Sequence, residues 1–113
     1  MSKVRFIGLD VHADTIAVAV AEPDGDVRSM GIIPNRPESI RRLVKKLGPV
    51  GSLRVCYEAG PTGYVIYWQL TSLGVHCEVV APTLVGRLLL TFGERQALAR
   101  ASSLAVAAHG RSR

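Results

Sequence analysis

The spacing of apolar positions changes along this chain, and each change marks a boundary between elements. Val4-Arg5-Phe6-Ile7-Gly8-Leu9-Asp10-Val11 is a short apolar run closed by an acid, a pattern that suits a buried central strand. Thr15 to Ala21 and Val27 to Ile33 are two further runs, joined by Pro23-Asp24-Gly25-Asp26. Asp-Gly between two such runs is a strong hairpin signal, so three successive antiparallel strands are expected at the start. The period then lengthens. Ile40, Leu43, Val44 and Leu47 fall at i, i+3, i+4 and i+7, behind Pro37 at a first helical position and Glu38 in the first turn. Lys45 and Lys46 lie in the last turn, and Gly48-Pro49 stops the helix. Leu53 to Glu58 predicts a fourth strand, and Gly60-Pro61-Thr62-Gly63 turns it into a helix over about 64–73 that ends at Gly74. His76 to Ala81 predicts a fifth strand, stopped by Pro82. Strand, helix, strand, helix, strand with short connections implies parallel pairing through right-handed crossovers. Within these elements Tyr64, Tyr67 and Trp68 are read as core, and Cys56 and Cys77 as small buried apolar residues.

Past Val85 the pattern loses definition. Residues 86–113 are rich in Ala, Leu, Arg and Ser, contain no Lys or Asp, and show only a loose helical tendency around 94–108. The expected division is a folded part over 1–85 and a divergent basic tail over 86–113, helical or disordered. Its composition is compatible with an out-of-frame reading of GC-rich DNA. At 113 residues and 48% hydrophobic content the chain can bury one modest core. No stretch approaches the roughly 20 apolar residues of a membrane span, and the acids near the start are incompatible with a signal peptide. With only two cysteines, a reduced cytoplasmic setting is the natural expectation. The formal charge of +5 is uneven: residues 1–85 carry nine Lys or Arg against eight Asp or Glu, and 86–113 carry five Arg against Glu94. Bulk charge therefore says little about the folded part. One local basic patch remains, Arg41, Arg42, Lys45 and Lys46, which either contacts a nucleic-acid backbone or forms the solvated face of an amphipathic helix.

Three antiparallel strands followed by helix, strand, helix, strand is the layout of the ribonuclease-H-like fold, an α/β class with a mixed five-stranded sheet. In that layout the first and fourth strands pair in parallel, which sets Asp10 beside Glu58 on the carboxyl edge where open α/β sheets place their sites. Two carboxylates forced together repel unless a cation or a proton neutralises them. Hard oxygen ligands favour Mg²⁺ or Mn²⁺ and phosphodiester chemistry. The competing reading of each acid is a solvated strand-end residue. His12, two residues on, either touches a metal or phosphate or is polar surface. Thr62 and Gly63 open a helix beside Glu58, so their N–H groups either meet a phosphate or simply initiate the helix.

Phe6-Ile7-Gly8-Leu9-Asp10-Val11-His12 and Cys56-Tyr57-Glu58-Ala59-Gly60-Pro61-Thr62-Gly63-Tyr64, with Leu73-Gly74-Val75 and Val79-Val80-Ala81-Pro82 after them, resemble the DEDD transposases of the insertion-sequence one-ten family, relatives of the Piv DNA invertase. The resemblance covers residues 3–85. It implies a RuvC-like nuclease domain with an Asp-Glu-Asp-Asp set binding Mg²⁺ or Mn²⁺, of which Asp10 matches the first member and Glu58 the second. It also implies DNA as substrate, homo-oligomers or contacts with intact transposase subunits, and in some members an element-encoded guide RNA. The family's third and fourth acids stand in an Asp-x-x-Asp segment after the fifth strand. This chain has no Asp beyond Asp26, so weak metal binding and little or no activity are expected. Two other classes compete. An actin-like or sugar-kinase-like ATPase fragment also opens with Ile-Gly-Leu-Asp, but Val11-His12-Ala13 offers no Gly or Ser/Thr cluster for ATP phosphates. A binding module without catalysis would contact nucleic acid or interfere with intact transposase subunits through retained oligomer surfaces.

Overall fold

A computed structural model describes residues 4–23, 26–58, 64–80 and 92–111. The elements run β1 (Arg5–Val11), β2 (Thr15–Ala21), β3 (Val27–Pro34), α1 (Pro37–Leu47), β4 (Leu53–Glu58), α2 (Val65–Ser72), β5 (His76–Val80) and α3 (Phe92–Arg111). The five strands form one mixed sheet in the order β3-β2-β1-β4-β5. β1 pairs antiparallel with β2 and β2 with β3, whereas β1 and β4, and β4 and β5, pair in parallel. This is the mixed α/β arrangement of the ribonuclease-H-like layout. No described helix is long and apolar enough to cross a membrane.

Strand periodicity decides which helix meets which face. Side chains alternate across a strand, so Ile7 and Leu9 of β1 share one face with Ile16, Val18 and Val20 of β2 and Leu53, Val55 and Tyr57 of β4. Onto this face pack Ile40, Val44 and Leu47 of α1 and Ile66 and Leu70 of α2. Each branched residue buried there contributes about 1.5–3 kcal/mol from removing apolar surface from water. The opposite face is built differently, from Phe6, Ala17, Ala19, Ala21 and Cys56. Small residues make it shallow, and α3 lies across it with Ala101 and Ala105 at 0% exposure. The approach is closest at Gly8, where an added Cβ would come within 2.7 Å of the Ser102 amide nitrogen and 2.8 Å of the Ala101 carbonyl carbon. No residue with a side chain fits there without displacing backbone.

Helix boundaries follow their local chemistry. Pro37 starts α1, and the Gly48 amide donates to the Val44 carbonyl to close it. Gly74, at φ 86°, ends the α2 segment in the left-handed region that favours glycine. The expected Pro23–Asp26 turn is closed by the Glu22 amide donating to the Asp26 carbonyl at 2.7 Å, with Asp24 and Gly25 themselves outside the described residues. Pro82, expected to stop the fifth strand, also lies outside them.

The aromatic residues of α2 correct the sequence reading. Tyr64 and Trp68 are 56% and 66% exposed, and only Tyr67 of the three packs partly into the core. The turn of the helix explains it: Ile66 and Leu70, four apart, take the inward stripe, which rotates Tyr64, Val65 and Trp68 outward. The tail, to which the hydrophobic pattern gave no place, supplies α3, which packs across β1, β2 and β3.

Candidate functional site

Parallel pairing of β1 with β4 runs in register from Arg5 opposite Leu53 to Leu9 opposite Tyr57. Asp10 and Glu58 are the next residues on their strands, so they stand on neighbouring strands toward the same edge of the sheet. Both belong to the α3 face, because Asp10 follows Phe6 and Gly8 in alternation and Glu58 follows Cys56. The structure therefore brings the two acids singled out from the sequence to one place. Glu58 is exposed, and Asp10 is half-buried.

Asp10 is met by two imidazoles. His109, from the last full turn of α3, sets Nδ1 at 2.7 Å from the Asp10 Oδ2. His12, from the loop that joins β1 to β2, sets Nε2 at 3.2 Å from the same oxygen. The two rings stack with centroids 3.9 Å apart and planes 14° from parallel. On its far side His109 places Nε2 at 2.9 Å from the Thr15 hydroxyl. The loop itself is held: the His12 amide donates to the Thr15 carbonyl, and Asn35 donates its side-chain amide to the His12 carbonyl and its backbone amide to the Asp14 carbonyl. Together the ligating atoms of Asp10, His12 and His109 lie within 4.8 Å of one another.

The other predicted positions part company with this edge. Arg41, Arg42, Lys45 and Lys46 are exposed on α1, which packs on the opposite face of the sheet from Asp10. Thr62 and Gly63 lie outside the described residues. Cys56 and Cys77 are buried, and burial pushes their thiols up to about 11 and about 12, which keeps them protonated rather than available as thiolates. Two residues of the site were absent from the sequence reading, His109 and Thr15. A signal for His109 exists in retrospect, since Ala97, Ala101, Ala105 and His109 recur every fourth residue and so share one helix face.

Chemically, the donor set is not the one an all-oxygen Mg²⁺ site needs. Magnesium takes a near-octahedral shell of hard oxygens. Among the described residues the register offers two neighbouring carboxylates, and the groups touching Asp10 are nitrogens.

No known family profile matches the chain. It is 44% identical over 85 residues to y4qE of Sinorhizobium fredii, a protein that carries the name of a transposase, in an alignment covering 73% of this chain and 22% of that relative. It is 35% identical over 89 residues to the transposase for insertion sequence element IS1533 of Leptospira borgpetersenii, covering 77% of this chain and 26% of that protein. The chain is thus related in sequence to transposases and spans about a quarter of the length of these curated relatives.

Proposed function

We propose that the chain is a nuclease-type, DNA-contacting domain of a transposase of the DEDD kind, with RuvC-like ancestry and weak or no cleavage of its own. The observation that carries this reading is the pair Asp10 and Glu58 on adjacent strand ends of one sheet face, in a chain related to transposases. Paired carboxylates at a carboxyl edge suit a phosphodiester-processing site. With no Asp beyond Asp26 to extend the pair, strong cleavage is not expected. Asp10 and Glu58 would hold one divalent ion, which when bound supplies Lewis-acid polarisation of a phosphoryl oxygen. The chain's own contribution is to fix the two carboxylates on a rigid sheet edge.

Charge provides the test. In metal-free buffer both carboxylates repel a phosphate backbone that crosses this edge, so Asp10→Asn and Glu58→Gln each tighten binding of branched or duplex DNA by roughly three- to tenfold at low salt. Unchanged DNA affinity in both variants, or ATP binding tighter than DNA binding, would overturn the reading. Metal-dependent cleavage that disappears in both variants would support the site and overturn the expectation of inactivity.

A further inference from the structure

We infer that Asp10, His12 and His109 form a mixed nitrogen–oxygen site for a transition-metal dication of the zinc class, linking the C-terminal helix to the β1–β2 loop. The inference stands on ligand geometry and does not depend on DNA being the substrate. Ions of this class bind imidazole nitrogen and carboxylate oxygen at about 2.0–2.2 Å, which at the tetrahedral angle sets adjacent ligand atoms roughly 3.3–3.6 Å apart. The 3.2 Å from Asp10 Oδ2 to His12 Nε2 is close to that range, whereas the 2.7 Å to His109 Nδ1 is a hydrogen bond whose atoms must part by roughly half an ångström when an ion replaces the shared proton. A second adjustment concerns the stacked rings. Stacked parallel rings cannot aim their lone pairs at one point, so His12, 42% exposed on a loop, turns out of the stack to share the ion.

His109 is held as a metal-binding histidine is held. Its ring is 7% exposed, on a helix face otherwise lined by alanine, and its second nitrogen meets the Thr15 hydroxyl at 2.9 Å. A fixed partner on the second ring nitrogen selects the tautomer and orients the first nitrogen toward the ion. The oxygen-only alternative is disfavoured by the same atoms, because imidazole donors follow the order in which zinc and its neighbours outbind manganese, with magnesium a poor partner for nitrogen.

The untagged full chain, stripped with a chelator, is titrated with Co²⁺ as a spectroscopic stand-in, then with Zn²⁺ in competition, with no DNA present. Expected are one equivalent of Co²⁺ with visible d–d bands, no thiolate charge-transfer band, displacement by Zn²⁺ and resistance to a millimolar excess of Mg²⁺. Zn²⁺ should also raise the thermal midpoint by mass action. Thr15→Val should weaken binding roughly 10-fold, and His109→Gln and His12→Gln should each weaken it further. His12 is on an exposed loop, so its variant keeps the test usable even where a change at His109 disturbs the fold. Absent Co²⁺ binding, bands that persist in either histidine variant, a thiolate band, or displacement by Mg²⁺ as readily as by Zn²⁺ would overturn the site. Failure here leaves the DNA reading standing, and failure of the DNA-affinity test leaves this one standing.

Discussion

Strand β1 ends in two charged clusters of opposite design. At its first residue, Arg5 donates Nε and Nη2 to the two Glu22 carboxylate oxygens at 2.8 and 2.7 Å and Nη1 to the Leu47 carbonyl at 2.9 Å, while Arg28 reaches the same carboxylate. Arg5's hydrogen bonds hold the Glu22 carboxyl at about 2, well below the usual carboxylate range. The carboxylate there is held by two guanidinium groups of the same chain. Near the other end, two imidazoles meet the Asp10 carboxylate, and Glu58 stands on the neighbouring strand, a set open to an added cation. One end of the strand is finished as structure, and the other is left able to take something up. That difference separates an ion pair that perturbs a carboxylate for stability from a cluster that is a candidate for function.

The largest expected effect breaks the comparison by removing one of its sides. Gly8→Val drives side-chain carbons into the α3 backbone at Ala101 and Ser102, so α3 and His109 lift away from Asp10. Overpacking of this kind costs about 3 kcal/mol, seen as a fall in the thermal midpoint of more than about 10 °C. Next, Arg5→Leu strips Glu22 of its bidentate partner and should cost about 1–3 kcal/mol in a denaturant titration at neutral pH. A stability close to that of the unaltered protein would show that Arg28 alone suffices.

Acid sharpens the contrast further. Because Glu22 has a folded-state pKa below its ordinary 4.5, its contribution is complete above that value and is lost as the pH falls toward about 2. Stability of the unaltered chain should therefore drop through this window, and Glu22→Gln should flatten that part of the drop. The smallest effect is expected at the far end: Glu58→Gln relieves like-charge repulsion and should change stability by no more than about 0.5 kcal/mol, in the stabilising direction. A clear loss of stability would mean that Glu58 is a structural residue.

All five strands and α1 were legible because their apolar residues are large and keep a clean period, and Asp-Gly, Pro37 and Gly48 mark their boundaries. The adjacency of Asp10 and Glu58 followed from element order alone, since parallel neighbours with matched starts reach the edge together. α3 was not legible as part of the fold for a physical reason. Its contact with the sheet is alanine on alanine and glycine, a fit of shape that contributes little hydrophobic contrast to a sequence pattern. His109 was hidden with it, because a histidine has no evident partner until the helix carrying it has a place. The outward turn of Tyr64 and Trp68 was not legible because 64, 67 and 68 keep a helical spacing of their own, and only the packing of Ile66 and Leu70 decides which stripe faces the sheet.

Asn35 sits between Pro34, the last residue of β3, and Arg36, which caps α1, and it grips the loop of His12 and Asp14 through two hydrogen bonds. Through its side-chain amide and its backbone N–H, that one residue ties the loop between β1 and β2 to the start of α1. The placing of the His12 ring therefore depends on the junction between β3 and α1 as well as on the strands that flank its own loop.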